Sequence, residues 1–290
     1  MVAFLDEVVL DALIDLLKLL PFLFLTYLLM ETLEHRAGGY TEKIIRRVGN
    51  FGPLLGGAIG AVPQCGFSAA AANLYTGRVL TAGTLLAVFL STSDEMLPIL
   101  LSAGVAGKTV LALVLSKVVI GVAVGFVADG VLRLLHRERD HMEIDELCEH
   151  DHCHCERGIL HSALHHTLSI SLFLLIVTLC INSAVFFLGE ETIASVFHGN
   201  SVAVLFLCAL VGLIPNCAAS VLLSQLFVDG LIGAGALLAG LLPGAGVGIL
   251  VLFRVNRHKG ENLALLAVLV VTGVVCGLLA ECTPLGALFV

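Results

Sequence analysis

Charged residues are scarce in this chain of 290 residues, where Asp, Glu, Lys and Arg make up 13% of the sequence. Soluble globular domains average about 25% charged residues. The hydrophobic share is 58%, and the mean hydropathy is +1.03. Several apolar runs reach the roughly 20 residues that a helix needs to cross a bilayer. This composition excludes an ordinary soluble domain and predicts an all-α polytopic membrane protein.

Motifs of several other protein classes are also lacking. The apolar runs do not alternate with polar residues, which excludes a transmembrane β-barrel. Residues 244–248 are glycine-rich but lack the Lys-Ser/Thr of a nucleotide-binding P-loop, so ATP-driven transport is not predicted. No nucleic-acid signature is present, and the nine cysteines do not form a disulfide framework. The first 30 residues open with acidic residues, so we do not expect a cleaved signal.

The chain does contain a duplicated motif. Residues 60–68 read GAVPQCGFS, and residues 212–220 read GLIPNCAAS. Each copy places a Pro-polar-Cys interruption inside an apolar run, which predicts a broken helix in each half. The positions that the two copies share, at a constant offset of 152 residues, are Gly60 and Gly212, Pro63 and Pro215, Gln64 and Asn216, Cys65 and Cys217, and Ser68 and Ser220.

The duplication divides the chain into a first transmembrane repeat at residues 1–135 and a second at residues 162–290. A hydrophilic loop at residues 136–161 separates them. This loop and the loops at residues 35–50 and 254–260 carry Lys and Arg, so we predict that all three are cytoplasmic.

The number of apolar runs constrains the topology. Three runs lie between the loops at residues 35–50 and 136–161, although both loops should lie on the same side. The conflict disappears if the Pro-Gln-Cys run is a re-entrant hairpin. Each half then has three crossings and one broken hairpin, which makes two inverted repeats, as in many secondary transporters. Ten short crossings, five per half, give the same loop orientation and stay open as an alternative.

A pair of acids is the strongest single signal of function. Asp94 and Glu95 lie deep in the third apolar run, where an ionisable group is costly unless it is paired or faces water. The second repeat has Gly246 and Val247 at these positions, so the acids come from the first repeat alone. The predicted substrate site consists of Gln64, Cys65, Ser68, Asn73, Asp94, Glu95, Asn216, Cys217, Ser220 and Gln225, with structural breaks at Pro63, Pro215 and Pro243.

The ligand chemistry of this site favours a cation. Carboxylates, amides and backbone oxygens suit a hard divalent ion such as Mn²⁺, whereas thiolates of Cys65 and Cys217 would shift the preference toward Zn²⁺ or softer metals. Lys18 and Lys117 are the basic residues of the predicted membrane core, and both are expected toward helix ends. An anionic substrate would need a cationic group or a helix N-terminus at its site. No tightly bound cofactor is predicted besides the transported ion.

The central loop is crowded with His and Cys residues. Such a density of imidazole and thiol groups binds transition metals readily, although the spacing does not match a closed zinc module. We predict a flexible site of low specificity that captures or senses cytoplasmic metal. Its candidate ligands are His141, Cys148, His150, His152, Cys153, His154 and Cys155.

The duplicated Pro-Gln-Cys and Pro-Asn-Cys motifs, the STSDE segment at residues 91–95 and the His-rich loop together resemble the family of ten-helix heavy-metal exporters. Members of that family are also described as manganese transporters or arsenic efflux proteins. The resemblance covers almost the whole chain, and it implies a multi-pass exporter of the prokaryotic inner membrane. The core residues that it implies are Pro63, Gln64, Cys65, Asp94, Glu95, Pro215, Asn216 and Cys217.

The function predicted from the sequence is secondary active efflux of a divalent transition metal, with Mn²⁺ first and Zn²⁺ or a related ion second. Alternating access would be coupled to protons, with Asp94 or Glu95 as carrier. An arsenic exporter that uses Cys65 and Cys217 is the first alternative. A membrane metal sensor and an intramembrane metalloenzyme are alternatives of other classes, although enzymatic activity is not predicted. The expected partners are the metal ion and the bilayer, without nucleic acid, and a homodimer stays open.

Overall fold

The described part of the chain is helical throughout. The computed structural model describes parts of residues 9–28 and the ranges 51–62, 65–93, 96–135, 159–188, 202–215 and 217–282. Helices joined by short turns account for these ranges, and no strand occurs in them. The predicted all-α fold is therefore confirmed for the described residues.

The helices repeat in the same order in the two halves. Residues 9–28 are helical where they are described. The first half continues with α1 (Gly52–Gly60), α2 (Cys65–Thr76), α3 (Ala82–Ser91), α4 (Met96–Ser102) and α5 (Gly107–Leu134). The second half contains α6 (Ile159–Leu188), α7 (Val202–Gly212), α8 (Cys217–Val228), α9 (Ala234–Leu241), α10 (Val247–Val255) and α11 (Lys259–Cys282). Because α2, α3 and α5 begin 152 residues before α8, α9 and α11, the duplicated sequence forms a duplicated set of helices.

Four helical stretches are long and apolar enough to cross a membrane. They are residues Ala82–Ser102, Gly107–Leu134, Ala163–Cys180 and Lys259–Cys282. On α6, the large apolar side chains of Leu164, Leu168, Leu172 and Ile176 follow one another at four-residue spacing and are exposed. An exposed apolar stripe of this kind suits contact with lipid. These helices indicate a membrane protein.

Small residues bring the central helices into close contact in both repeats. A Cβ atom added to Gly121 of α5 would lie 2.9 Å from the Ala87 carbonyl oxygen of α3, and one added to Gly273 of α11 would lie 2.6 Å from the Ala239 carbonyl oxygen of α9. The pairs Gly121–Ala87 and Gly273–Ala239 occupy matching positions. The helix contact α3–α5 is thus repeated as α9–α11.

The neighbours of α3 fix the direction of the first repeat. Gly52 of α1 lies against Thr84 and Gly60 lies against Ser91, so α1 and α3 run parallel. The turn that joins α2 to α3 contains Arg78, and we call this end of the bundle the Arg78 end. Both α1 and α3 begin there, and α2 ends there. Helix α1 consequently runs into the bundle from this end, and α2 runs back to it.

Helix α9 of the second repeat begins at the end of the bundle opposite to Arg78. Gly248, at the start of α10, lies against Ser68 near the start of α2, and Glu261 at the start of α11 contacts Arg78. Therefore α10 ends, and α11 begins, at the Arg78 end. Since Gly235 of α9 lies against Gly277 near the end of α11, α9 begins at the other end of the bundle. The helices α3 and α9 run toward each other.

The two repeats exchange packing partners. Helix α2 of the first repeat packs against α10 of the second, and α8 of the second repeat packs against α4 of the first. These two contacts are equivalent under the duplication, because α2 corresponds to α8 and α10 corresponds to α4. One helix of each repeat, α2 or α8, therefore packs against a short helix of the other repeat.

The close contact of α3 and α5 gives the first prediction. We expect Gly125→Ala to destabilise the protein by about 1–3 kcal/mol, because the added Cβ atom has no room. It would lie 2.9 Å from the Pro53 Cβ atom and 3.2 Å from the Ala87 Cβ atom. The control is Gly130→Ala in the same helix, whose Cβ atom would meet nothing within 4 Å. Thermal unfolding in detergent would measure both, and equal unfolding temperatures would contradict the packing.

Candidate functional site

Two half-helices end at one lysine side chain inside the bundle. Helix α3 ends at Ser91 and α9 ends at Leu241. The ammonium group of Lys117, on α5, donates a hydrogen bond to the Thr92 carbonyl oxygen and another to the Leu241 carbonyl oxygen at 2.7 Å. The side chain is buried, with 1% of the residue exposed. Lys117 therefore joins the C-terminal end of a helix from each repeat.

The structure corrects the expectation that Lys117 lies toward a helix end. It lies ten residues beyond Gly107, the first residue of the 28-residue helix α5. It belongs to a buried stripe with Leu113, Gly121 and Gly125 at four-residue spacing. That spacing is the signal that sequence reasoning missed, because it places Lys117 on the inner face of a long apolar helix.

Hydroxyl groups bind other carbonyl groups at the end of α3. The Ser91 hydroxyl donates to the Ala87 carbonyl oxygen at 2.7 Å, and the Thr92 hydroxyl donates to the Val88 carbonyl oxygen at 2.7 Å. The last carbonyl groups of a helix have no partner within the helix. The Ser93 hydroxyl donates to one of them, the Ser91 carbonyl oxygen, at 3.0 Å. The Thr92 carbonyl oxygen, which follows, accepts from the ammonium.

Carboxylate groups lie at the opposite ends of the same half-helices. Asp129 of α5 accepts hydrogen bonds from the Gly83 N–H and the Thr81 hydroxyl, both at 2.7 Å, at the start of α3. Glu281 of α11 occupies the matching position beside Gly235 at the start of α9. Negative charge is favourable at a helix N-terminus and positive charge at a C-terminus. Charged side chains thus complement the dipoles of α3 and α9 at both ends.

The structure places part of the predicted substrate site. Cys65 and Cys217 are the first residues of α2 and α8. Ser68 is fully buried, and its Cβ atom would lie 2.8 Å from a Cβ atom added to Gly248 of the other repeat. Ser220, its counterpart, is half-buried. The backbones of α2 and α10 are therefore in close contact where the predicted site residue Ser68 lies.

Two matched amide positions have different surroundings. Asn73 is buried and accepts a hydrogen bond from the Tyr27 hydroxyl at 3.1 Å. The Tyr27 ring stacks on His166 with ring centroids 5.2 Å apart. Gln225, at the matching position, is exposed and donates to Asp229. Asn73 thus belongs to a buried polar cluster, whereas Gln225 lies on the outer surface of α8.

The structure describes two of the three predicted proline breaks and does not describe most of the remaining predicted ligands. Pro215 is half-buried, and Pro243 is buried against Gly273 of α11. Among the described residues, no three His, Cys, Asp or Glu side chains gather into a metal-binding group. The predicted residues that lie outside the described ranges are Pro63, Gln64, Asp94, Glu95, His141, Cys148, His150, His152, Cys153, His154, Cys155 and Asn216.

A charged contact between the repeats lies at the Arg78 end. The Arg78 guanidinium donates to Glu261 at 3.2 Å and lies 5.5 Å from the centre of the Tyr75 ring. The Tyr75 hydroxyl also donates to Glu261, at 3.3 Å. Sequence reasoning missed this contact, because its members are separated by more than 180 residues.

The backbone at Arg78 is unusual for a residue with a side chain. Its φ angle is 58°, in the left-handed region, where the matching residue of the second repeat is Gly230 with a φ of 72°. A non-glycine residue costs roughly 1–2 kcal/mol in this conformation. The contact with Glu261 offsets part of that cost, which accounts for an arginine where the second repeat has glycine.

Comparisons of the chain with protein-family models, with curated proteins and with solved structures find no match.

The contact at the Arg78 end gives the second prediction. We expect Glu261→Gln to lower the free energy of unfolding by about 1–2 kcal/mol, because the carboxylate accepts from both Arg78 and Tyr75. The side chains of Arg78 and Glu261 are 10% and 34% exposed, so solvent screens the pair only in part. The matched control is Gln225→Ala, which removes a hydrogen bond on the exposed surface of α8. Thermal unfolding of both variants would measure the difference, and equal losses would contradict a role for the contact between repeats.

Proposed function

We propose that this protein is a secondary transporter that exports a divalent transition metal by alternating access, with Mn²⁺ first and Zn²⁺ or a related ion second. The observation that carries the proposal is the meeting of α3 and α9 at Lys117. One half-helix from each repeat ends inside the bundle, where backbone groups need partners from the protein or from a water-filled cavity. Transporters bind substrates at such helix breaks.

We infer that the two repeats are inverted. The directions of α3 and α9 support this inference, since α3 begins at the Arg78 end and α9 begins at the other end. The broken hairpin formed by α1 and α2 supports three crossings and one hairpin per half, rather than ten crossings. With the basic loops inside, the Arg78 end faces the cytoplasm of a prokaryotic cell. Rocking of one repeat against the other would then expose the central site to each side in turn.

Charge balance supports a divalent cation as substrate. The C-terminal ends of α3 and α9 each act as about −0.5 charge, and the Lys117 ammonium offsets the two together. Asp94 and Glu95 follow Ser93 in the sequence, and Ser93 is buried. Two carboxylates in that segment would carry a charge that one divalent ion balances. An anionic substrate would meet repulsion from these acids instead.

The wider assignment rests on the resemblance to heavy-metal exporters. It supports export as the direction and the inner membrane as the location. The His-rich loop would capture metal on the cytoplasmic side, and its deletion would modulate transport rather than abolish it. Trivalent arsenic stays the alternative substrate, because Cys65 and Cys217 begin matching helices in the two repeats.

Flux through reconstituted proteoliposomes tests the proposal. We expect uptake or release of Mn²⁺, or of Zn²⁺ or Cd²⁺, and we expect Asp94→Asn/Glu95→Gln to reduce it at least about tenfold, because the charged ligands are lost. Gly130→Ala, whose added Cβ atom would meet nothing within 4 Å, is the control for general damage.

Arsenite is the discriminating substrate in the same assay. Flux of arsenite alone, which survives Asp94→Asn/Glu95→Gln and is lost in Cys65→Ser/Cys217→Ser, would replace the divalent metal with thiol chemistry. Absence of flux for every ion would contradict a transport function and would favour a sensor that uses residues 141–157.

A further inference from the structure

We propose that the carbonyl oxygens at the ends of α3 and α9 form a binding site for a monovalent cation, and that the ammonium of Lys117 occupies it permanently. The group donates to the Thr92 and Leu241 carbonyl oxygens, which belong to different repeats. Lys117 is thus a tethered cation in a site that an alkali ion or a small ammonium ion would otherwise fill.

The site is built by the backbone. Helix C-termini and unwound carbonyl groups are the ligands that discontinuous membrane helices offer to cations. At the end of α3 the Ser93 hydroxyl donates to the Ser91 carbonyl oxygen, and the Thr92 carbonyl oxygen accepts from Lys117. At the end of α9 the Leu242 N–H donates to the Leu238 carbonyl oxygen, and the Leu241 carbonyl oxygen accepts from Lys117.

The charge of the two helix ends matches a monovalent ion. Each helix C-terminus is equivalent to about −0.5 charge, so the two together carry about −1. One ammonium, Na⁺ or K⁺ balances the charge of these two ends. The carboxylates of Asp94 and Glu95 are assigned instead to the divalent substrate of the proposed function.

The second repeat supplies an internal comparison. Leu269 of α11 occupies the position that matches Lys117, and it is equally buried. Helix α11 packs against α3. Lys117 and Leu269 are thus buried side chains of similar length on equivalent helices. Lys117 is charged and binds the ends of α3 and α9, whereas leucine has no group that could do so.

Tethering makes the site independent of the ions in solution. A covalently attached ammonium has a high effective concentration at its site, so free cations do not compete with it at ordinary concentrations. If the protein is the secondary transporter proposed above, its cycle needs no Na⁺ or K⁺ at this position. That consequence rests on the proposed function, whereas the site itself does not.

The test replaces Lys117, the tethered cation, with alanine and supplies free cations in solution. The full-length protein and Lys117→Ala would be purified in detergent, and their unfolding temperatures measured in choline, sodium, potassium and methylammonium chloride at one ionic strength. We expect the natural protein to unfold at the same temperature in all four salts. We expect Lys117→Ala to unfold earlier in choline and to regain about 3 °C or more with a small cation. The gain should grow with the logarithm of the cation concentration.

Leu269→Ala is the matched control. It opens a cavity of similar size at the equivalent position, and we expect it to lower the unfolding temperature equally in all four salts. A Lys117→Ala variant that is insensitive to the cation, or a Leu269→Ala variant that is equally sensitive, would overturn the proposal. Recovery of folded Lys117→Ala in sodium, potassium or methylammonium but not in choline would support it.

A second pair of variants covers the case in which Lys117→Ala folds in none of the salts. Lys117→Arg keeps the positive charge, and Lys117→Met keeps most of the volume without it. We expect Lys117→Arg to unfold at a higher temperature than Lys117→Met, and the reverse order would overturn the proposal. These experiments measure unfolding temperatures and not metal flux. Absence of metal transport would therefore contradict the proposed function without contradicting the cation site.

Discussion

A helix that ends in an apolar interior leaves carbonyl groups without partners, and this constraint organises the centre of the molecule. Both α3 and α9 end in this way, and the ammonium of Lys117 binds a carbonyl oxygen at each end. The ammonium reaches them because Gly121 and Gly125 let α5 lie directly against α3. Small residues, a long scaffold helix and one buried charge are therefore parts of the same arrangement.

The same constraint explains why the duplication is incomplete at this point. The carboxylates Asp129 and Glu281 are duplicated, since the N-termini of α3 and α9 lie at opposite ends of the bundle and each needs its own charge. The C-termini meet at one place and share one ammonium. A second lysine in place of Leu269 would bring two positive charges to helix ends that carry about −1 together. Because the two C-termini meet at one ammonium, the second repeat has an uncharged leucine at the position that matches Lys117.

Local patterns predicted much of the fold. The offset between Cys65 and Cys217 indicated a duplicated set of helices, and the structure repeats them in order. Helices α1 and α2 lie on either side of the proline interruption, where the sequence predicted a broken helix. The packing of α2 and α8 against helices of the other repeat could not be predicted. Contacts between helices that are distant in the sequence produce no periodic pattern in the sequence of either helix. Arg78 was missed for the same reason, since its partner Glu261 lies in the other repeat.

The predicted site likewise contains residues that a local motif indicates and depends on others that no motif indicates. The sequence indicated Ser68 because it follows the Pro-Gln-Cys motif, but its close approach to the backbone of α10 depends on Gly248, a residue with no polar group to attract notice. The matching residue in α4 is Met96, whose side chain is buried. The two exchanged contacts therefore involve matching helices and differ in the residue, glycine or methionine, at the matching position. Backbone meets backbone where α2 touches α10, and the Arg78–Glu261 contact joins the two repeats again beyond the other end of α2. A flexible methionine occupies the equivalent place in α4, and such a side chain adapts to a change of spacing more readily than a backbone contact does.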